Sequence, residues 1–270
     1  MDFNQICKAI KEVKIQGAEN VAIAALNAYS LKPSKESIKK LISLRPTEPA
    51  LRNALNFAQL YSVKAALSHF EHARDKILNY SKDLIKKNSI VYTHCHSSTV
   101  TGIIIYNKNK IKSVNCTETR PLFQGRKTAK ELVSARIPVT LYVDSAMRLA
   151  LKDANIVLIG ADSILKDGSV INKIGSELVA EAAFYDFKAP LYVCSDSWKF
   201  DPQSLHKKET KIEYRSTKEI WDNPPKNLNI LNPAFEKINP KLIKGIISEF
   251  GVLKPEDFVN KVIKNYKWMK

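Results

Sequence analysis

The sequence predicts an α/β protein in which an all-helical domain precedes a domain built on a parallel β-sheet. Two observations predict this class. Up to about residue 87, apolar residues recur at three- and four-residue steps, as on the buried face of a helix. From Asn88 onward, short apolar runs alternate with helix-like segments at intervals of roughly 20 to 35 residues, as in successive strand-helix units.

The first part of the chain has helical periodicity throughout. The segment "GAENVAIAALNAY" places Val21, Ala24, Ala25 and Ala28 on one stripe, and residues 50–85 keep the same spacing. We therefore expect a helical domain over residues 1–87 and a second domain over residues 88–270.

The strands of the second domain are predicted by five apolar runs, which are "SIVYTH", "KSVNCT", "PVTLYV", "ANIVLIG" and "APLYVCS". Runs that are apolar almost throughout are typical of a parallel sheet covered on both faces. The segments "QGRKTAKELVSA" and "GSELVAEAAFYDF" between them are the predicted helices. The polar stretch 201–227 is predicted to be an irregular loop near a site or an interface.

The formal net charge of +16 is compatible with nucleic-acid binding, but the lysines occur singly or in pairs along the whole chain. This distribution favours solvated helix faces, and the positive charge could attract a small polyanionic substrate. A nucleic-acid partner is therefore disfavoured.

Four cysteines at wide spacings, without a CxxC pair, predict reduced thiols and no zinc site. No apolar run is long enough to span a membrane, and the first residues lack a secretory signal, so we expect a cytoplasmic protein.

Ligands of open parallel sheets bind beyond the carboxyl ends of the strands, where "IVYTHCHSSTV" places Cys95. If residues 90–96 form a strand, Cys95 points away from His94 and His96, which argues against a shared metal site. The hydroxyls that follow predict a helix amino end suited to an anion, where a thiol should have a depressed pKa. A buried structural cysteine is the alternative.

Asp162 lies at the end of another predicted strand, in "GADSILKDGSVINKIGS". Partial desolvation there would raise the pKa of the carboxyl group and make it a proton donor, and Lys173 could bind a phosphate. A helix or turn cap is the alternative role of Asp162.

Three further segments offer groups for anions. "TETRPLFQGRKTAKEL" places Arg120 and Gln124 between a strand and a helix, although Arg120 could equally be an ordinary surface residue. Gly17 stands at a predicted helix start, and Arg45 precedes Pro46-Thr47.

Taken together, these pieces resemble one family. The motifs "THCHSS", "ETRPLFQG", "VTLYVDSA", "GADSILKDGSVINKIGS", Lys199-Phe200 and "NPAFEKINPKLIKGIISEFGV" occur in the order of the superfamily of sugar-1-phosphate aldose-ketose isomerases and initiation-factor-2B-like proteins. "RPTEPALRNA" and the short N-terminal region are most similar to archaeal ribose-1,5-bisphosphate isomerases. The resemblance implies a helical domain followed by a Rossmann-like domain, matching the change of period at Asn88.

The resemblance also implies an activity, the conversion of ribose 1,5-bisphosphate to ribulose 1,5-bisphosphate in nucleotide salvage, without a metal or other cofactor. The alternatives are methylthioribose-1-phosphate isomerase and a non-catalytic regulatory subunit. It implies a phosphorylated pentose as substrate and a homo-oligomer that is at least a dimer, since some relatives assemble further into hexamers.

By the same resemblance, Cys95 and Asp162 are the catalytic pair. The implied substrate-binding residues are Gly17, Ala18, Arg45, Thr93, Ser97, Arg120, Gln124, Asn172 and Lys173. Two positions depart from the family pattern, because Gln16 replaces a frequent Arg and His96 replaces a frequent Asn. Lys14 could supply the phosphate contact that Gln16 lacks.

Overall fold

The computed structural model describes residues 1–206 and 212–269, and its first part consists of helices. Local signals fix where they begin: Asp2 and Gln5 form a capping box, and the hydroxyl groups of Ser34 and Ser62 cap two further helices. These helices are α1 (Phe3–Lys11), α2 (Ala18–Leu31), α3 (Lys35–Leu44), α4 (Pro49–Leu60) and α5 (Val63–Ser81).

A seven-stranded sheet follows in the described residues, with the strand order β10-β9-β7-β4-β1-β2-β3. All neighbouring strands are parallel except β9 and β10. The predicted α/β class and the parallel sheet are thereby confirmed. The strands are β1 (Ser89–Thr93), β2 (Ile111–Thr117), β3 (Val139–Tyr142), β4 (Ile156–Ile159), β7 (Leu191–Cys194), β9 (Gly245–Ser248) and β10 (Gly251–Leu253).

Helices connect the parallel strands, and a small antiparallel sheet lies beside them. The helices are α6 (Ser98–Tyr106), α7 (Gln124–Ser134), α8 (Met147–Leu151), α9 (Ser176–Glu181) and α10 (Pro255–Asn265). The small sheet contains β5 (Ser163–Ile164), β6 (Val170–Lys173) and β8 (Phe235–Ile238). The sequence pattern did not predict this sheet, because its strands are only two to four residues long and the pairing of β6 with β8 spans a long stretch of chain.

The predicted polar loop lacks regular strands over most of its length, and residues 207–211 lie outside the described part. After residue 211, a hydrogen bond joins two points of the following segment: Asn232 Nδ2 donates to the Ser216 carbonyl oxygen at 2.9 Å. In the described residues, every helix is too short or too polar to cross a membrane.

The helices and the sheet share one apolar core, in which Leu55 of α4 and Val157 of β4 are fully buried. We propose the division into domains 1–87 and 88–270 from the change of architecture at β1.

A polar contact also joins the two parts. Asn53 of α4 donates hydrogen bonds from Nδ2 to the carbonyl oxygens of Trp198 at 2.7 Å and Phe200 at 2.9 Å. This contact fixes the loop that follows β7.

We expect Asn53→Ala to lower the free energy of unfolding by about 2 to 4 kcal/mol, because two buried carbonyl groups lose their donor. Chemical denaturation measures this effect. Asn56→Ala, on the exposed side of the same helix, is the matched control and should change stability by less than about 0.5 kcal/mol. Equal losses in the two variants would contradict the role given to Asn53.

Candidate active site

A cleft lies at the carboxyl ends of β1 and β4, between the sheet and the first helices. It is bounded by the amino end of α2, the α3–α4 turn, the loops after β1, β4 and β7, and the small sheet. The polar residues that line it are Gln16, Glu19, Arg45, Glu48, Cys95, His96, Ser97, Ser98, Gln124, Asp162, Asn172, Lys173, Lys199 and Arg215.

Cys95 and Asp162 enter this cleft from neighbouring strands. β1 pairs in parallel with β4, so both strands end at the same edge of the sheet. The two loops pack closely, since a Cβ atom at Gly160 would lie 2.8 Å from Ser97 Cβ. A glycine at this position therefore lets the two candidate catalytic loops approach each other.

The backbone at Cys95 differs from the prediction. β1 ends at Thr93, so residues 94–96 do not continue the strand, and Cys95 has a left-handed backbone with φ of 64°. Strand alternation therefore does not set the direction of the thiol, because the strand covers only residues 89–93 and ends before Cys95. The Cys95 N–H donates to Thr119 Oγ1 at 3.0 Å, and its carbonyl oxygen accepts from Thr128 Oγ1 at 2.8 Å.

Each neighbouring histidine has its own hydrogen-bond partners. His94 Nε2 lies 2.9 Å from the carbonyl oxygen of Ile174, so this nitrogen must be the donor, and Nδ1 can then accept from Thr117 Oγ1 at 2.8 Å. His96 Nδ1 lies 3.1 Å from Thr128 Oγ1. Burial lowers the pKa of both imidazoles. Through its hydrogen bond to the Ile174 carbonyl oxygen, His94 connects the loop after β1 to the residues after β6.

The helix after Cys95 begins as predicted, but the pKa of the thiol changes in the opposite direction. Ser97 caps α6, its Oγ accepting from the Val100 N–H at 3.4 Å. Burial raises the pKa of Cys95 to about 11, although the Lys173 ammonium group partly offsets this effect. The expected depressed pKa was wrong, because the loss of water around the thiolate outweighs the neighbouring positive charge. With a pKa of about 11, Cys95 is mainly a neutral thiol at pH 7.

The pKa of the Asp162 carboxyl group is raised, as the sequence predicted. Burial is the main cause, and the ammonium groups of Lys199 and Lys173 and the Arg45 guanidinium oppose it. Asp162 is thus a carboxyl group with limited access to water, next to three cations. Such a group can exchange a proton with a ligand in the cleft.

Cations from four separate parts of the chain line the cleft, which makes it suitable for a phosphorylated ligand. Lys173 ends β6 and Lys199 follows β7, and both are more than 90% buried. Arg45 comes from the α3–α4 turn, and Arg215 comes from the polar loop after β7.

Most residues implied by the resemblance meet at this cleft. Among the substrate-binding set, those that line it are Gly17, Ala18, Arg45, Ser97, Gln124, Asn172 and Lys173. Thr93 does not line it, because this residue belongs to β1 and is buried in the sheet. Arg120 is also outside the lining, and its exposed guanidinium donates to the Ile220 carbonyl oxygen at 3.3 Å.

Four charged residues of the cleft were not assigned a role from the sequence: Glu19, Glu48, Lys199 and Arg215. Glu48 belongs to "RPTEPALRNA" and Lys199 to the Lys-Phe pair, so both were within motifs that carried the resemblance. For Arg215, the only sequence signal was its position in the polar stretch 201–227, which was predicted to lie near a site or an interface. These residues line the same cleft because distant parts of the chain pack against each other.

The part of the chain that the structure describes contains no group of three His, Cys, Asp or Glu side chains arranged to hold a metal ion. The charged residues of the cleft are instead suited to organic phosphate, with cations for the phosphate groups and carboxyl groups for hydroxyls or proton transfer.

Because the thiolate is the reactive form, we expect iodoacetamide to alkylate Cys95 about tenfold faster per pH unit from pH 7 to 9, well below a pKa of about 11. Mass spectrometry of the Cys95 peptide follows the reaction. Cys7, Cys116 and Cys194 are buried, and Cys95→Ser is the control for labelling at those sites. A rate that levels off below pH 8 would contradict the raised pKa.

Comparison with known proteins identifies the family. Residues 30–255 match the Initiation factor 2 subunit family. The chain is 32% identical to the ribose 1,5-bisphosphate isomerase of Pyrococcus furiosus, with 98% of this chain and 94% of that protein covered. It is 32% identical to the methylthioribose-1-phosphate isomerase of Dehalococcoides mccartyi, with 94% and 90% covered. The solved structure of the Pyrococcus horikoshii translation initiation factor eIF-2B aligns with a TM-score of 0.85 at 26% identity, covering 95% of this chain and 98% of that one. On these matches, the chain belongs to the initiation factor 2 subunit family.

Proposed function

We propose that this protein is an aldose-ketose isomerase that converts ribose 1,5-bisphosphate to ribulose 1,5-bisphosphate. The observation that carries the proposal is the meeting of Cys95 and Asp162, from neighbouring strands, in one cleft that four cations also line. A thiol and a carboxyl group can move protons at the sugar carbons, while the cations neutralise phosphate.

The class of activity is supported by relatives that match over nearly their full length. The proteins of Pyrococcus furiosus and Methanocaldococcus jannaschii are named ribose 1,5-bisphosphate isomerases, and each is 32% identical to this chain. The relative of Dehalococcoides mccartyi is named for a different sugar phosphate. This chain is an enzyme of that type, a sugar-phosphate isomerase, and we propose ribose 1,5-bisphosphate as its substrate.

The charge of the cleft favours a substrate with two phosphates. Four cations, Arg45, Lys173, Lys199 and Arg215, come from different sides of the lining. A bisphosphate places negative charge at both ends of the sugar. Arg45 is already paired with Glu48, and Arg215 with Glu219. The buried ammonium groups of Lys173 and Lys199 are therefore the cations that a second phosphate would neutralise, and methylthioribose 1-phosphate lacks this phosphate.

The proposed mechanism begins with opening of the sugar ring. Asp162 gives a proton to the ring oxygen as the bond from this oxygen to C1 breaks, and the Cys95 thiolate removes the proton from C2. The product of this step is an enol that joins C1 and C2 and still bears the phosphate on C1.

The second half of the mechanism returns both groups to their starting states. The Cys95 thiol delivers its proton to C1, and the Asp162 carboxylate takes the proton of the C2 hydroxyl group as the ketone forms. Because burial raises the pKa of Cys95 to about 11, the reactive thiolate is scarce at neutral pH. The rate should therefore rise with pH while Asp162 keeps its proton and level off once Asp162 loses it, because each further gain of thiolate is then matched by a loss of the carboxylic acid.

Direct hydride transfer from C2 to C1 is the alternative route, and a labelled substrate distinguishes it. With deuterium at C2, hydride transfer keeps the label at C1 of the product. The proton route allows exchange of the label with water while it is held by the thiol. Proton and phosphorus spectra of the product measure both the turnover and the position of the label.

We expect Cys95→Ser and Asp162→Asn each to lower kcat by about 10²- to 10⁴-fold, because each removes one of the two proton-transferring groups. The measurement is the formation of ribulose 1,5-bisphosphate from ribose 1,5-bisphosphate. Cys116→Ser, which changes a buried cysteine of β2 outside the cleft, is the matched control and should keep most of the activity.

A folded wild-type protein that leaves ribose 1,5-bisphosphate unchanged would refute the proposed substrate. Preference for methylthioribose 1-phosphate in a competition assay would assign the second isomerase activity instead. Binding of the bisphosphate without turnover would support a regulatory role of the kind suggested by the structural likeness to an initiation factor.

We also propose that the protein forms a homo-oligomer through the edge of the sheet at β3. Leu141 of β3 and Val143 just after it are exposed apolar residues, and an edge strand can pair with another chain. Light scattering coupled to size-exclusion chromatography measures the mass in solution.

A further inference from the structure

We propose that Glu48 determines substrate specificity by forming a hydrogen bond with the C2 or C3 hydroxyl group of the sugar. This inference rests on the proposed function and assigns a partner to a cleft residue outside the catalytic pair. Glu48 precedes α4 and lines the cleft together with Asp162.

The two oxygens of the Glu48 carboxyl group have different surroundings. Oε1 accepts a hydrogen bond from Arg45 Nη2 at 2.7 Å, and the Glu48 side chain is only 4% exposed. Oε2 is buried and has no hydrogen-bond partner among the described residues. A buried carboxylate oxygen without a donor is unfavourable, so a ligand that supplies a donor would stabilise the site.

The neighbouring charges favour a hydroxyl group as this donor. Arg45, Lys199, Asp162 and Glu213 are the charged groups that influence Glu48. Burial raises the pKa of Glu48 to about 7, and the Asp162 charge adds to this increase. The cations Arg45 and Lys199 therefore offset only part of the cost of burying the Glu48 carboxylate. A phosphate group would be repelled by the Glu48 carboxylate, whereas a hydroxyl group can donate a hydrogen bond to it.

The proposed substrate narrows the choice to two groups. In ribose 1,5-bisphosphate the C1 and C5 oxygens carry phosphate and the C4 oxygen closes the ring, so the free hydroxyl groups are those on C2 and C3. A site built to bind a hydroxyl group discriminates strongly against an analogue that lacks it, because the protein group then remains unpaired.

The alternative role of Glu48 is purely structural, since its contact with Arg45 could simply hold the guanidinium in place. The two roles have different consequences for deoxy analogues. Loss of Arg45 positioning weakens the binding of every phosphorylated ligand by a similar factor. Loss of a hydroxyl contact removes the preference for the ligand that carries this hydroxyl group.

The test compares the affinities of ribose 1,5-bisphosphate and its 2-deoxy and 3-deoxy analogues by calorimetry. All proteins carry Cys95→Ser to prevent turnover during the titration. We expect the protein with Glu48 to bind one deoxy analogue about 10- to 100-fold more weakly than the parent sugar, as for a hydrogen bond to a charged group. With Glu48→Met, this ratio should fall to about threefold or less.

Glu213→Gln is the matched control. Glu213 Oε2 lies 3.9 Å from Arg45 Nη2, but Glu213 is not among the residues that line the cleft. This variant should keep the full preference for the parent sugar. If Glu48→Met does not fold, Glu48→Gln replaces it, and its neutral amide should reduce the preference at least about threefold.

A preference for the hydroxyl-bearing ligand that is equal with and without the Glu48 carboxyl group overturns the inference, even if all affinities fall. Equal binding of all three ligands by the protein with Glu48 also overturns it. The substrate assay described above is run in parallel on the wild type. If the wild type converts the bisphosphate, the proposed function stands even when the role of Glu48 is refuted. If the wild type neither converts nor binds it, the proposed function and the role of Glu48 are both refuted.

Discussion

The parallel pairing of β1 with β4 is the constraint on which the site depends. Val91 is opposite Ile156 and Tyr92 is opposite Val157, so the two strands run together and release their loops at one edge of the sheet. Gly160 then allows the β4 loop to approach Ser97 more closely than a residue with a Cβ atom could. This packing brings to one cleft a thiol and a carboxyl group that are far apart in the sequence.

Restricted access to water sets the chemistry of these two groups. Burial raises the pKa of Cys95 and that of Asp162, even though Lys173 opposes the change at both positions. Both groups therefore favour their neutral forms more than they would in water. The proposed mechanism uses the thiolate form of Cys95 and the protonated form of Asp162, and the surrounding cations act mainly on the phosphates of the substrate.

The first helices contribute to the cleft as well as to the core. The α3–α4 turn places Arg45 and Glu48 opposite the strand ends, and α4 fixes the loop after β7 through Asn53. A salt bridge of 2.8 Å between Arg52 and Asp201 adds a second connection between α4 and this loop. Lys199 lies between these attachment points, so the position of this buried cation depends on the packing of the helices against the sheet.

The sequence by itself determined the local elements and the identity of the main candidate residues. Continuous apolar runs predicted the parallel strands, and the residues at their ends pointed to Cys95 and Asp162, because side-chain periodicity and strand direction are local properties. Only the tertiary structure decided that Glu48, Lys199 and Arg215 line the same cleft, and that Thr93 and Arg120 do not. It also reversed the expected pKa change of Cys95. Burial and contacts between distant segments cause these differences, and neither can be obtained from the spacing of residues along the chain.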